Sequence, residues 1–442
     1  MRSHRLVLLV VCLALAAVVS AVAALNVAIP GIARDTGASQ TQLSWIVDAY
    51  ALTFAALLLP AGALGDRYGR RRVLLAGLFL FGAAASAAMF ASGPAMLVLL
   101  RAVLGAGAAL VMPATLSTIT ATFPPAQRVK GVATWTGVAG ASAVLGLLAS
   151  GLLLEVWSWR SVFALNVVLA AVAIAGTLAV VPESAHPQAA ARDLGGTVLS
   201  VAGLAVLVYA LIEAPTAGWT SATTLAGLTA GLLLLAVFVA WELRQKAPLL
   251  NPRLFTRHAF AAGTLSLTVQ FFAFFGFIFV FLQYLQLVRG DTPLMAALSM
   301  LPLAAGLIPA SRLAPHLVAR TSTGPVCTAA LLVISAALLA LWSTDAATSY
   351  WLLAAALFPL GIGMGLAMTP ATAAVTDALP EAEQGVASAV NDLSRELGGA
   401  LGIAVLGSIL NATYRAELPL RDLPPEQAER ARESLVVSCE SS

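Results

Sequence analysis

The chain has 442 residues, 60% hydrophobic and 10% charged, with a formal net charge of +3. Roughly a quarter of an ordinary soluble domain is charged, so no water-soluble fold hides this much apolar surface. Metal-dependent chemistry has little to build on, because Cys12, Cys327 and Cys439 lack pairing or ligand spacing and His4, His186, His258 and His316 are scattered.

Segments of about 20 residues, nearly free of charge, recur along the chain, and each is long enough to cross roughly 30 Å of hydrocarbon as a helix. The first, 6–27, follows Arg2, His4 and Arg5. It is longer than a signal-peptide core and runs into NVAIP without a small-residue cleavage site, so it reads as a retained span. Further spans are predicted at 43–64, 72–92, 95–119, 131–153 and 160–181. A polar linker covers 182–193, and spans at 195–213, 221–242, 259–282, 294–315, 325–343, 350–376 and 385–411 follow. That makes about 13.

Lysine and arginine orient the chain. A cytoplasmic N-terminus puts Arg67, Arg70, Arg71, Arg72, Arg128, Lys130, Arg192, Arg244, Lys246, Arg253, Arg257 and Arg320 inside. The external loops then hold little beyond Arg34, Arg160 and Arg289, as the positive-inside rule requires. Topology thus accounts for the arginines, and no nucleic-acid partner is expected.

An internal echo constrains the architecture. The fourth span ends GAGAALVMPAT and the fifth opens GVAT; the twelfth contains GIGMGLAMTPAT and the thirteenth opens GVAS. Two consecutive helices therefore repeat eight spans later. Two repeated six-helix bundles give an offset of six, so the seventh and eighth spans read as an insertion between them. The predicted organisation is an N-terminal six-helix bundle over 1–181, a linker with two inserted helices over 182–258, a C-terminal bundle with five visible spans over 259–414, and a polar tail over 415–442. A fourteenth span matching the sixth is expected, yet no run after Tyr414 is long enough. Only 424–435 suits a short surface helix. The tail then ends outside with Arg415, Arg421, Arg430 and Arg432, which reads as a truncated or altered C-terminus.

Between the second and third spans stands GALGDRYGRRR, residues 62–72. With the repeat and the inserted pair, this loop makes the chain resemble the major facilitator superfamily, in particular its fourteen-span drug:proton antiporter branch of quaternary-ammonium and multidrug pumps. Gly62, Asp66, Arg67, Gly69, Arg70 and Arg71 match the loop signature of that superfamily. Arg101, Gly105, Gly107 and Pro113 match the branch's fourth-span signature, and WSWRSVFALN and QYLQLVRGDTP are similar to its later segments. The resemblance implies the major facilitator fold and proton-coupled export of small amphipathic drugs or toxic compounds by alternating access. It further implies a monomer in the bacterial inner membrane, conferring antibiotic resistance and using the proton gradient in place of any cofactor.

Two departures stand out. Ala21 occupies a position where such pumps often carry an acid, and Gly146-Leu147 followed by Ser150-Gly151 replaces the fifth-span pattern of Gly-Pro and a glycine pair. An exporter of a neutral or anionic metabolite, or a truncated non-transporting membrane protein, therefore stays open. No Gly-rich phosphate cradle points to ATP, and no nucleophile, base and metal constellation points to an enzyme.

The loop also has its own chemistry. Gly62 and Gly69 permit close backbone approach, and Asp66 can accept hydrogen bonds at a helix N-terminus, where the dipole favours negative charge. A conformational latch and a purely topogenic arginine cluster both fit. The repeat partner of this loop, around 316–324, has lost nearly all of its charge, so any latch is lopsided.

Ionisable groups within the spans are functional candidates. Asp48 and Arg101 lie at similar depth and can pair, either as a proton or cation site that Arg101 modulates or as a structural ion pair. Ser388, Asp392, Arg395 and Glu396 share one side of the thirteenth span, as a second coupling site or a self-neutralising cluster. Glu213, beside Trp219, reads as interfacial. Phe271, Phe272, Phe274 and Phe275 suit an aromatic drug cavity or lipid-facing bulk. Gln283 and Gln286 are candidates for polar substrate contacts or an external gate. Gly105, Gly107, Gly361, Gly363 and Gly365, with Pro113 and Pro370, suit close packing and bending in a shared rocking element.

Overall fold

A computed structural model describes residues 2–185, 193–344 and 348–417. The described residues form helices and no strand: α1 (Arg2–Thr36), α2 (Gln40–Tyr68), α3 (Arg70–Ala88), α4 (Pro94–Thr122), α5 (Pro125–Val156), α6 (Arg160–Val180), α7 (Leu194–Ala217) and α8 (Ala222–Glu242), then α9 (His258–Gln283), α10 (Pro293–Ser299), α11 (Leu301–Arg320), α12 (Thr323–Trp342), α13 (Tyr350–Thr376) and α14 (Gln384–Glu417). Among them, 13 spans are long and apolar enough to cross a membrane, α10 and α11 forming one span, Leu294–Arg320. The helices outrun the predicted segments at several ends. Hydropathy marks only the hydrocarbon-immersed part, whereas the backbone stays helical until a cap stops it. Ser39 caps α2 in a box with Gln42, Asp193 caps α7 and Ser221 caps α8. The 294–315 prediction is corrected in detail: the span is interrupted at Met300 and continues to Arg320. The tail segment 424–435 lies outside the described residues.

Two apolar cores form. One draws on α1 to α6, and the other mainly on α9 to α14, with Leu204 of α7 and Phe238 of α8 joining it. Within the first, α4 packs on α2 and α3; within the second, α13 packs on α11 and α12. The sequence repeat is visible in these contacts. A side chain at Gly105 would strike the Tyr50 backbone of α2, and one at Gly361 the Leu303 backbone of α11; Gly107 abuts Gly77 of α3 as Gly363 abuts Ala330 of α12. Small residues let these backbones approach, and membrane helices associate largely through such contact. Phe79, Leu232, Trp342 and Leu352 point outward, as a lipid-facing surface requires.

The two cores meet along two seams, α2 against α14 and α5 against α11. The inserted hairpin α7–α8 packs through α7 on α2 and α14. Trp45 of α2 stacks on Tyr209 of α7 at 5.8 Å. Short connections make successive spans antiparallel. The loop 62–72, the end of α6 and the start of α14 therefore share one end of the molecule, called here the basic face.

Candidate functional site

At the basic face, α2 turns into α3 through a single residue, Gly69, whose φ of 107° belongs to the left-handed region. A side chain there would also collide with the Glu183 carboxylate. Glu183 accepts from the Arg71 backbone N–H at 3.2 Å and pairs with Arg72 at 3.5 Å, while Arg71 donates to the Leu178 carbonyl at 2.8 Å. The turn is thus tied to the end of α6.

Asp66 points the other way. It is 1% exposed, and its carboxylate accepts from the backbone N–H groups of Gly385 at 2.8 Å and Val386 at 3.1 Å, in the first turn of α14. Those N–H groups lack helical acceptors, and the α14 dipole adds to their attraction for a negative charge. Arg70, also 1% exposed, pairs with Asp66 at 2.6 Å and donates to the Glu381 carbonyl at 2.8 Å. The close approach depends on facing glycines: a side chain at Gly62 would strike the Gly385 backbone, and one at Gly385 the Gly62 carbonyl. Arg67 instead lies over the ring of Tyr68 at 5.5 Å.

The second seam is different. Among the described residues, no ion pair crosses from α5 to α11. Side chains at Gly137, Gly140 and Gly151 would meet Ser311, Leu307 and Leu294 respectively, so this contact consists of small residues against movable side chains. Towards the basic face the seam opens into a cleft of about 410 Å³ lined by Lys130, Thr134, Arg312 and His316. Asp377, at the end of α13, lies outside the spans; burial pushes its carboxyl up and the Arg128 charge opposes that shift.

The predicted pairing of Asp48 with Arg101 is electrostatic and not a direct ion pair. Arg101 is 1% exposed and turns to α2 itself: its Nε donates to the Ile46 carbonyl at 2.9 Å and its guanidinium lies 4.4 Å from the Tyr50 ring centroid. The ring gives a cation an electrostatic partner without a carboxylate. Asp48 is half-buried and within electrostatic range of both Arg101 and Glu213. Glu213, predicted as an interfacial residue, therefore brings the inserted α7 into the same charged region.

In α14, Ser388 and Asp392 are buried and Glu396 is half-buried. Asp392 accepts from Asn391 at 3.0 Å and interacts electrostatically with Glu396. Arg395 also interacts electrostatically with Asp392, as a charge-balancing cluster requires, but makes no direct ion pair with either acid. Its guanidinium faces Trp135 of α5 and Phe271 of α9 instead. Tyr50 interacts electrostatically with Arg101 and with Glu396, so the charged groups of the two cores approach one another.

The aromatic candidates divide. Phe271 is buried and stacks obliquely on Phe275 at 5.7 Å, and Phe275 in turn lies over Gly399 of α14. Gln283 lies about 12 Å beyond Phe275 along α9 at the usual rise per residue. It contacts the Phe279 carbonyl at 3.5 Å, and Gln286 beyond it is exposed. Sequence reasoning missed Tyr50 and Trp135. Trp135 lies only about one turn inside the predicted 131–153 span, where the interfacial belt also accounts for a tryptophan, so the sequence carried no distinct signal for it.

A family model described as "Major Facilitator Superfamily" matches residues 10–403. The chain is 35% identical to Multidrug resistance protein Stp of Mycobacterium tuberculosis over 394 residues, covering 89% of this chain and 73% of that protein. It is also 35% identical to the Methylenomycin A resistance protein of Streptomyces coelicolor over 393 residues, 89% of this chain and 82% of that protein. The fold is similar to that of the human organic anion transporter MFSD10 (TETRAN), with a TM-score of 0.68 and 15% identity, covering 92% of this chain and 93% of the other.

Proposed function

This chain belongs to the Major Facilitator Superfamily, and on that premise we propose that it exports small amphipathic drugs or toxic compounds from bacteria in exchange for protons. The curated relatives named for multidrug and methylenomycin A resistance support this reading. Residues 1–181 and 259–414 act as the two rocking bundles, with residues 182–258 as the inserted unit. The protein sits in the inner membrane with a cytoplasmic N-terminus, works as a monomer and uses the proton gradient with no bound cofactor.

What supports the coupling is that Asp48, Asp392 and Glu396 are carboxylates within α2 and α14, the two helices that pack across one seam, with the Asp66–Arg70 pair at its basic end. Proton coupling needs a carboxylate that titrates and is reached alternately from each side. Asp48 is the proton site, with Asp392 and Glu396 as a second station, and Arg101 sets the field in which Asp48 works. Asp66 and Arg70 close the basic face and separate from α14 when it opens.

The test is transport in proteoliposomes under an imposed pH gradient. Proton-driven uptake of a quaternary ammonium compound is expected in the wild type and is expected to collapse in Asp48→Asn. Wild-type coupling in that variant would remove Asp48 from the mechanism. Ala21, where related pumps often carry an acid, is buried in the N-terminal core, which favours a second reading: export of a neutral or anionic metabolite. Competition by quaternary ammonium compounds separates the two.

A further inference from the structure

Arg395 occupies an unusual place for a buried cation. It is 5% exposed, yet its charge meets two aromatic rings, one from each core: Trp135 at 4.8 Å and Phe271 at 5.0 Å from the guanidinium carbon to the ring centroids. The polar contacts are poor by comparison. Nη2 reaches Thr372 Oγ1 at 3.4 Å and Nε has no hydrogen-bond partner. Asp392, one helical turn earlier on the same face, also keeps Oδ2 without a partner. A buried arginine ordinarily survives by pairing with a carboxylate. This one feels the charge of Asp392 but makes no direct ion pair with it, and lies between rings instead.

The rings are held as a site is held. Trp135 is fully buried, and its Nε1 donates to Thr115 Oγ1 at 3.0 Å, while that hydroxyl donates to the Met112 carbonyl at 2.7 Å. The indole plane is therefore fixed from α4. Phe271 is braced edge-on by Phe274 and obliquely by Phe275. Two braced rings around a cation, with little other solvation, make a recognition element for organic cations, whose charge aromatic faces stabilise.

We propose that Trp135 and Phe271 form a binding site for a lipophilic organic cation, and that Arg395 fills it as an internal surrogate whenever cargo is absent. This identification of the cargo rests on the export reading above. An arriving cation takes the place of the guanidinium, and Arg395 swings back toward Asp392, whose unpartnered oxygen receives it. One positive charge replaces another between the rings, so the exchange avoids burying an additional unpaired charge. A neutral compound gains no such replacement and leaves Arg395 in place, which makes the exchange selective for cations. The rings belong to different cores, so the occupant of the site bridges the surfaces that move in alternating access. Recognition of positive charge then does not require an acid at Ala21.

The test is equilibrium binding of tetraphenylphosphonium to the purified full-length protein, with neutral triphenylphosphine oxide as the control probe. Arg395→Ala vacates the rings and is expected to tighten tetraphenylphosphonium binding about tenfold, with little change for the neutral probe, consistent with loss of a desolvated competing cation. Trp135→Ala is expected to weaken it by a similar factor, and Trp135→Phe to retain most of it. Arg395→Gln serves if the alanine variant does not elute as a single species. Three results would overturn the proposal: unchanged or weaker cation binding in the Arg395 variant, equal tightening of both probes, or no cation binding by the wild type. Proton-driven transport by the wild type alongside unchanged binding in Arg395→Ala would sink this inference and leave the export reading standing. Tightened binding without transport of any compound would do the reverse.

Discussion

The seams α2–α14 and α5–α11 are related by the internal repeat, yet different chemistry closes each of them. On the first, Asp66 caps the N-terminus of α14 while Arg70 pairs with it and reaches the Glu381 carbonyl. On the second, Gly131, the repeat partner of Gly385, lies nearly two turns inside α5 and faces Ile119 and Phe123 of its own core, and the basic face opens into the cleft beside Lys130 and His316. Directional hydrogen bonds to a buried charge are either made or lost, which gives a seam two states. Small residues against movable side chains slide with little change in energy. In the rocking we propose, α2–α14 is the lock and α5–α11 the pivot.

The largest expected effect comes from preventing the lock from closing. Gly62→Leu or Gly385→Leu places a side chain in the opposing backbone, and export is expected to fall to background. Spin labels across α2 and α14 at the basic face should move apart, and an unchanged distance with full export would contradict the assignment. Asp66→Ala comes next, because losing one partner of a buried pair costs about 3–5 kcal/mol. At 1.4 kcal/mol per tenfold, that corresponds to a shift of roughly two to three and a half orders of magnitude in the closed-to-open ratio. The same distance measurement reads it.

Arg101→Ala sharpens the comparison from inside one core. It removes the bond to the Ile46 carbonyl and the contact with Tyr50, a loss of about 2 kcal/mol in thermal stability. The melting temperature should fall by several degrees while the distance across α2 and α14 holds; a lengthened distance would show that Arg101 belongs to the lock. The smallest effect is expected at the pivot. Lys130→Gln with His316→Gln alters exposed side chains, so export should stay within about twofold. Loss of export in that double variant would make the cleft a functional gate and end the asymmetry.

Much of this was legible beforehand, for local reasons. The lock could be anticipated at Gly62, Asp66 and Gly69, where glycines allow close approach and an acid suits a helix N-terminus. Its receiving end at Gly385 was legible only as the opening of a repeated GVAS segment. The charged residues in the spans were found by hydropathy, but two of their partnerships act through the field rather than as direct ion pairs. Similar depth suggested Asp48 for Arg101, and helical spacing suggested Asp392 for Arg395. Neither depth nor spacing reports aromatic rings on other helices, and Tyr50 and Trp135 supplied those rings.

The sequence by itself determined where the spans lie, that two of them are inserted between repeated bundles, and which loops carry the positive charge. Each spanning segment must satisfy its own backbone hydrogen bonds in hydrocarbon, so span placement is a property of about 20 consecutive residues. Tertiary structure alone decided that Arg101 lies over Tyr50, that Arg395 lies between Trp135 and Phe271, and that Glu213 stands within reach of Asp48. Those choices depend on how far each helix rotates about its own axis, which packing between distant segments sets.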